Sequence, residues 1–264
     1  MTYSFTQISQ YLRCPRQYRY RYLDGWHEKE DKASMIFGRC FENALSAYFA
    51  QEDSTATFFR EWRKYQDTSL TYTKNDSWDR LYHQGVHLLE RFAQDDRVRI
   101  RRPDQNLQVK LTRSFPDGSD FVSYIDAIGE VDGTKCIIDW KTTSSRYAEH
   151  PEGLLALDPQ LICYSWMAGI SAVALVVFVR KSAPEVQYLK TSIDEDQRRE
   201  CGQLIEMTVS QIESGHHSGI RFPQNGCVSC PHLGLCLGDQ QLRDSKLIRR
   251  PGASDLDWLD QFEE

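Results

Sequence analysis

At 264 residues, with 40% hydrophobic and 27% charged side chains, the chain can bury a sizeable core as one large domain or two small ones, and wholesale disorder is excluded. A formal net charge of −6 excludes indiscriminate coating of nucleic acid by charge alone. The longest apolar run, Ile170 to Val179, is too short to span a bilayer, and Met1-Thr2-Tyr3-Ser4-Phe5 lacks the pattern of a secretory leader, so a cytoplasmic chain without membrane contact is expected.

In chain order, the first feature is a cluster of Arg13, Arg16, Arg19 and Arg21 interleaved with Tyr18, Tyr20 and Tyr22. Phe37, Phe41, Ala44, Leu45, Tyr48 and Phe49 then recur at helical spacing, Phe58, Phe59 and Trp62 begin a second amphipathic stretch, and a third runs from about Trp78 to Phe92. After a basic run at 97–102 the period changes, because Leu107, Val109 and Leu111 alternate with polar residues as in a half-buried strand. The segments Phe121 to Val131 and Lys135 to Thr142 flank Asp132-Gly133, a pair that predicts a tight antiparallel hairpin. A helix from about Pro159 to Gly169 follows, then a strand from Ala172 to Val179 covered on both faces, an edge strand from Val186 to Ile193 and a helix from Asp194 to Ser214. From Gly215 onward the chain reads as turn-rich, with basic residues at Lys246, Arg249 and Arg250 and an acidic tail over 251–264. No internal repeat is present, and the order strand, strand, helix, strand predicts an α/β fold in one domain, a mixed β-sheet flanked by helices with a helical insertion at about 50–100.

Period two places Asp139 and Lys141 on one face of the second hairpin strand, and the hairpin can bring Asp126 beside them. Two carboxylates and an ammonium in one patch are the groups that phosphodiester hydrolysis needs: oxygen ligands for a hard cation, and positive charge near the attacking water and the developing negative charge. A solvated strand face with a cross-strand ion pair uses the same residues.

The flanking residues decide between these. Ser123-Tyr124-Ile125-Asp126, Ile137-Ile138-Asp139-Trp140-Lys141-Thr142-Thr143 and Gln160-Leu161-Ile162-Cys163-Tyr164 resemble the PD-(D/E)XK nuclease superfamily, in its RecB-like and CRISPR-associated exonuclease branch. The resemblance implies a restriction-endonuclease-like fold. It also implies Asp126, Asp139, Lys141, Gln160 and Tyr164 as catalytic residues, and Mg2+ or Mn2+ held by Glu42, Asp126, Asp139 and the Trp140 carbonyl. Glu42 stands four residues after Gly38, where the family often carries a metal-binding histidine, and a carboxylate is the better ligand for a hard cation.

Of eight cysteines, Cys40, Cys136, Cys163 and Cys201 read as small core residues, while Cys227, Cys230 and Cys236 form C-x2-C-x5-C, a spacing at which three thiolates can converge on one metal or cluster. Cys14-Pro15 resembles the family's cluster-bearing start, which implies Cys14 as fourth ligand of a 4Fe-4S cluster, with Zn2+ as the alternative. Such a cluster would join the region about 1–25 to 215–240, and closing the loop between Cys14 and Cys227, 213 positions apart, restricts the unfolded chain by about 5 kcal/mol. The expected activity is hydrolysis of single-stranded or end-processed DNA in repair or CRISPR spacer acquisition, with Arg13, Arg16, Arg19 and Tyr18 gripping the strand. No helicase motif is present, so a helicase or integrase partner is expected for unwinding or integration. The rival readings are a non-catalytic DNA-binding Fe-S scaffold subunit and an electron-transfer or redox-sensing protein.

Overall fold

The computed structural model describes residues 1–73, 75–149, 154–181, 183–218 and 225–250, so the acidic tail and part of the expected 215–240 region lie outside the described residues. The chain divides into two compact units, one of Met1–Phe5 with Lys32–Leu204 and one of Thr6–Asp31 with Ile205–Glu264. No helix among the described residues is long and apolar enough to cross a membrane.

The first unit holds a seven-stranded sheet of β1 (Thr2–Ser4), β2 (Val98–Arg99), β3 (Leu107–Ser114), β4 (Asp120–Val131), β5 (Thr134–Thr143), β6 (Ala172–Val179) and β7 (Glu185–Ser192). Its order is β1-β4-β5-β6-β7, with β2 and β3 also on β4. β1 with β4 and β5 with β6 run parallel, and the other pairs run antiparallel, so the sheet is mixed. α1 (Ala33–Phe49), α2 (Ser54–Arg63), α3 (Trp78–Ala93), α4 (Pro159–Ala168) and α5 (Glu195–Glu213) lie where periodicity predicts helices.

Seven of the eight residues of β6 are buried, and this explains why its sequence is continuously apolar: both faces are covered. Phe37, Phe41 and Leu45 of α1, Phe58 and Trp62 of α2, and Leu88 and Phe92 of α3 share one core with Ile138, Trp140, Ala174, Val176 and Phe178. Leu161 and Tyr164 of α4 share another with Ile125, Ile137 and Val173. The β4–β5 hairpin turns through Asp132 and Gly133 at φ +50° and +77°, the left-handed pair that a two-residue type I′ turn requires. Asp132 accepts hydrogen bonds from Arg97 at 2.7 and 2.8 Å and from Lys190 at 2.6 Å, so the first member of the basic run at 97–102 anchors the turn.

The regular alternation expected of Leu107, Val109 and Leu111 does not hold. Leu107 and its partner Ala127 pack with the α1–α3 core, whereas Val109, Leu111 and Ile125 pack with α4. The two strands change faces together between 107 and 109 and between 125 and 127, because Gln108 has φ +48°. A left-handed residue rotates the chain out of its pleat.

In the second unit the N-terminal basic segment is helical. Helix Phe5–Arg13 is followed, after Cys14, by helix Pro15–Tyr18 and a π-helical turn over Arg19–Leu23. The proposed base-stacking role of Tyr18 is corrected: the residue is 1% exposed, with its ring against Tyr11, Tyr22 and His217 at centroid distances of 5.5, 4.9 and 6.1 Å. Burial pushes its hydroxyl up to about 12. Among the described residues after Gly215 there is more regular structure than the turn-rich sequence suggests. Helices Leu233–Leu237 and Gln240–Lys246 lead into strand Leu247–Arg249, which pairs antiparallel with Trp26–Glu28.

Candidate active site

β4 and β5 stay paired from Val131↔Thr134 to Ala127↔Ile138, and the next step of that register sets Asp126 opposite Asp139. There the ladder stops. Asp126 lies between two residues that face opposite sides of the sheet, and its Oδ2 accepts the backbone N–H of Trp140 at 2.8 Å. The carboxylate therefore stands in for a backbone acceptor of its own strand β4 toward that β5 N–H, which leaves it beside Asp139 and Lys141. Asp139 and Lys141 themselves share a face, as period two predicts, and the Lys141 ammonium lies 2.9 Å from Asp139 Oδ2.

α4 closes the site from one side. Asp158 caps it, accepting the N–H groups of Gln160 at 2.9 Å and Leu161 at 3.1 Å, with Pro159 at the first helical position. Gln160 Oε1 accepts from Lys141 Nζ at 3.1 Å, and Gln160 Nε2 donates to the Tyr164 hydroxyl at 2.7 Å, so lysine, amide and phenol form a chain. The i, i+4 spacing gives this result because both side chains leave the helix on one face. Asp158 went unremarked in the sequence, although Asp followed by Pro before a helical pattern is an N-cap signal.

α1 contributes Glu42. Its carboxyl is pushed up to about 7, first by burial and then by Asp139, with Lys141 and Arg39 opposing. Burial raises Asp126 well above the usual carboxylate range, reinforced by Asp139 and Glu42. Asp139, 1% exposed, is also raised by burial, against the pull of Lys141. For Lys141, burial opposes the charge, but Asp139, Asp126 and Glu42 outweigh it and hold the ammonium protonated. Burial and the same aspartates keep the Tyr164 hydroxyl neutral. Three carboxylates crowd one lysine, and this excess of negative charge suits an added cation. Among the described residues, no three His, Cys, Asp or Glu groups are already spaced as a finished metal cage. Trp140 is buried with its indole in the α1–α3 core, so only its backbone could reach a metal. A groove of about 380 Å³ along β7, lined by Arg97, Arg146, Glu149, Glu185 and Lys190, includes none of these residues.

The four cysteines expected to act together all belong to the second unit. Cys14, Cys227 and Cys230 are half-buried and Cys236 is exposed. Burial raises the Cys230 thiol, with smaller contributions from Cys236, Cys14 and Cys227, so the set is near enough to interact without being spaced as a cage. Arg16 and Tyr20 both hydrogen-bond to Cys236. Arg13 and Arg19 are exposed, and Arg19 pairs with Asp24 at 3.4 Å. Cys40, Cys136 and Cys163 are buried, whereas Cys201 is only partly so and hydrogen-bonds to Cys163.

A candidate exonuclease from Eubacterium rectale has a similar fold, with a TM-score of 0.53 and 14% identity over 97% of this chain and 91% of that one. The protein SSO0001 is a looser match, at 0.36 and 16% over 79% and 75% of the two chains. No curated protein matches. The family model for the PD-(D/E)XK nuclease superfamily matches residues 2–237, a span that includes the carboxylates, Lys141, the Gln160–Tyr164 pair and all four clustered cysteines, and the chain belongs to that superfamily.

Proposed function

We propose that this protein is a divalent-metal-dependent deoxyribonuclease of the RecB-like, CRISPR-associated exonuclease branch, acting on single-stranded or end-processed DNA in repair or spacer acquisition. The observation that carries the reading is the meeting of Glu42, Asp126 and Asp139 around Lys141, with Lys141 held in turn by Gln160 and Tyr164.

Glu42, Asp126, Asp139 and the Trp140 carbonyl would hold Mg2+ or Mn2+. When bound, the cation supplies Lewis-acid polarisation of the phosphodiester and offsets its charge. Lys141 orients the attacking water and stabilises the negative charge that grows on the phosphate oxygens. Gln160 fixes the ammonium at that position, and neutral Tyr164 fixes the amide. Cys14, Cys227, Cys230 and Cys236 would hold a 4Fe-4S cluster, or Zn2+, as a structural brace, because phosphodiester hydrolysis moves no electrons. Arg13 and Arg19 pair with DNA phosphates, while Arg16 is engaged with Cys236.

The decisive experiment digests end-labelled linear and circular DNA with Mg2+ or Mn2+, comparing wild type with Lys141→Ala and Asp139→Ala. Each substitution should cost about a thousandfold or more in cleavage while DNA binding survives. Undiminished cleavage in both would move the active site elsewhere, and resistance of circular DNA would mark an exonuclease.

A further inference from the structure

Gln108 is, among the described residues, the one residue inside a strand whose φ is positive, at +48°. The other left-handed residues lie in turns, loops or helix ends, and six of them are glycines. A glutamine has no side-chain device that favours this conformation, so the surrounding structure must impose it, and such strain concentrates where it sets functional geometry. Gln108 lies opposite Asp126: β3 and β4 pair at Leu107↔Ala127 and Val109↔Ile125, and the pair between these two is the one missing from the ladder. On both strands the residues flanking this step pack on opposite sides of the sheet. A side chain at such a crossover lies near the sheet plane. Asp126 shows the consequence, since it reaches sideways to the Trp140 N–H, a group that a carboxylate standing perpendicular to a regular sheet would not meet. From that position it can be approached by Glu42 from α1 and by Lys141, whose own partner Gln160 is on α4.

We propose that Gln108 is a positioning residue whose left-handed backbone turns Asp126 into the sheet plane, where the carboxylate can be shared by groups from both faces. The role belongs to the backbone, and the amide is dispensable. This rests on the nuclease reading of the same site.

The test compares Gln108→Gly and Gln108→Asn, which tolerate a positive φ, with Gln108→Val, whose β-branched side chain does not. Measured on each are melting temperature, Mn2+ affinity by calorimetry, and kcat and KM for DNA. Gly and Asn should match wild type in Mn2+ affinity and kcat, with melting unchanged or raised. Val should weaken Mn2+ binding and lower kcat by about ten- to a hundredfold while KM changes little. A Val variant that melts lower yet keeps wild-type Mn2+ affinity and kcat overturns the proposal, as does a Gly variant impaired as severely as Val. Should Val fail to fold, Gln108→Ala, also disfavoured at positive φ, replaces it in the same comparison. If wild type neither binds Mn2+ nor cleaves DNA, the nuclease reading fails instead.

Discussion

Glu42 occupies the helix position where the superfamily often has histidine, and its ionisation is costly until a cation arrives. Its folded-state value of about 7 lies above the ordinary 4.5, so the protonated form favours the fold, and the gain is lost as pH rises from about 4.5 through 7. In chelator, wild type should therefore melt lower at pH 8 than at pH 5 relative to Glu42→Gln. The difference should be about 1–2 kcal/mol, reduced from the full shift because the side chain is partly exposed. Parallel melting of the two proteins across that range would show that Glu42 carries no such strain. The neighbouring Asp139 and Lys141 were legible in the sequence as sharing a face by their spacing of two along a strand, and the resemblance to the superfamily picked out Gln160 and Tyr164, whose spacing of four puts them on one helix face. The burial of Tyr18 was not legible. Its interleaving with arginines suggested an open binding surface, but a helical segment has an inner side, and that ring faces it.

Among the elements, α2 and α3 meet so closely that a Cβ on Gly85 would stand 2.3 Å from the Phe58 ring, which is itself fully buried and has nowhere to retreat. Gly85→Ala should cost about 1–3 kcal/mol through overpacking, although alanine is the better helix former by about 1 kcal/mol. Chemical denaturation measures this, and a neutral or stabilising result would mean that the helices can slide apart. The hairpin was readable from Asp132-Gly133, since few residue pairs accept its turn. The face change at Gln108 and Asp126 was not readable, because Leu107, Val109 and Leu111 have the pattern of an uninterrupted strand and nothing in a glutamine announces a left-handed backbone.

For the molecule as a whole, Cys14 and the three later cysteines lie on segments from near the two ends of the sequence that belong to one compact unit, and the proposed cluster would join them. Protein purified without oxygen should show visible absorbance. Cys230→Ala should lose it and melt lower, with as much as about 5 kcal/mol at stake on loop-closure arithmetic. A variant with the spectrum and melting curve of wild type would remove Cys230 from the ligand set. Colourless wild type containing zinc would select the alternative metal.

The sequence by itself determined the order of the main helices and strands between Ala33 and Glu213, the buried strand β6 and the hairpin, since each follows from periodicity or from local turn and helix geometry, and its resemblance to the superfamily named the candidate residues for phosphodiester chemistry. Only the tertiary structure decided that Asp126 accepts the Trp140 N–H, that Tyr18 is core, that Arg97 anchors a turn, and that the chain folds as two compact units. Those outcomes depend on which distant segments compete for the same space and the same hydrogen bonds, and no local pattern encodes that competition.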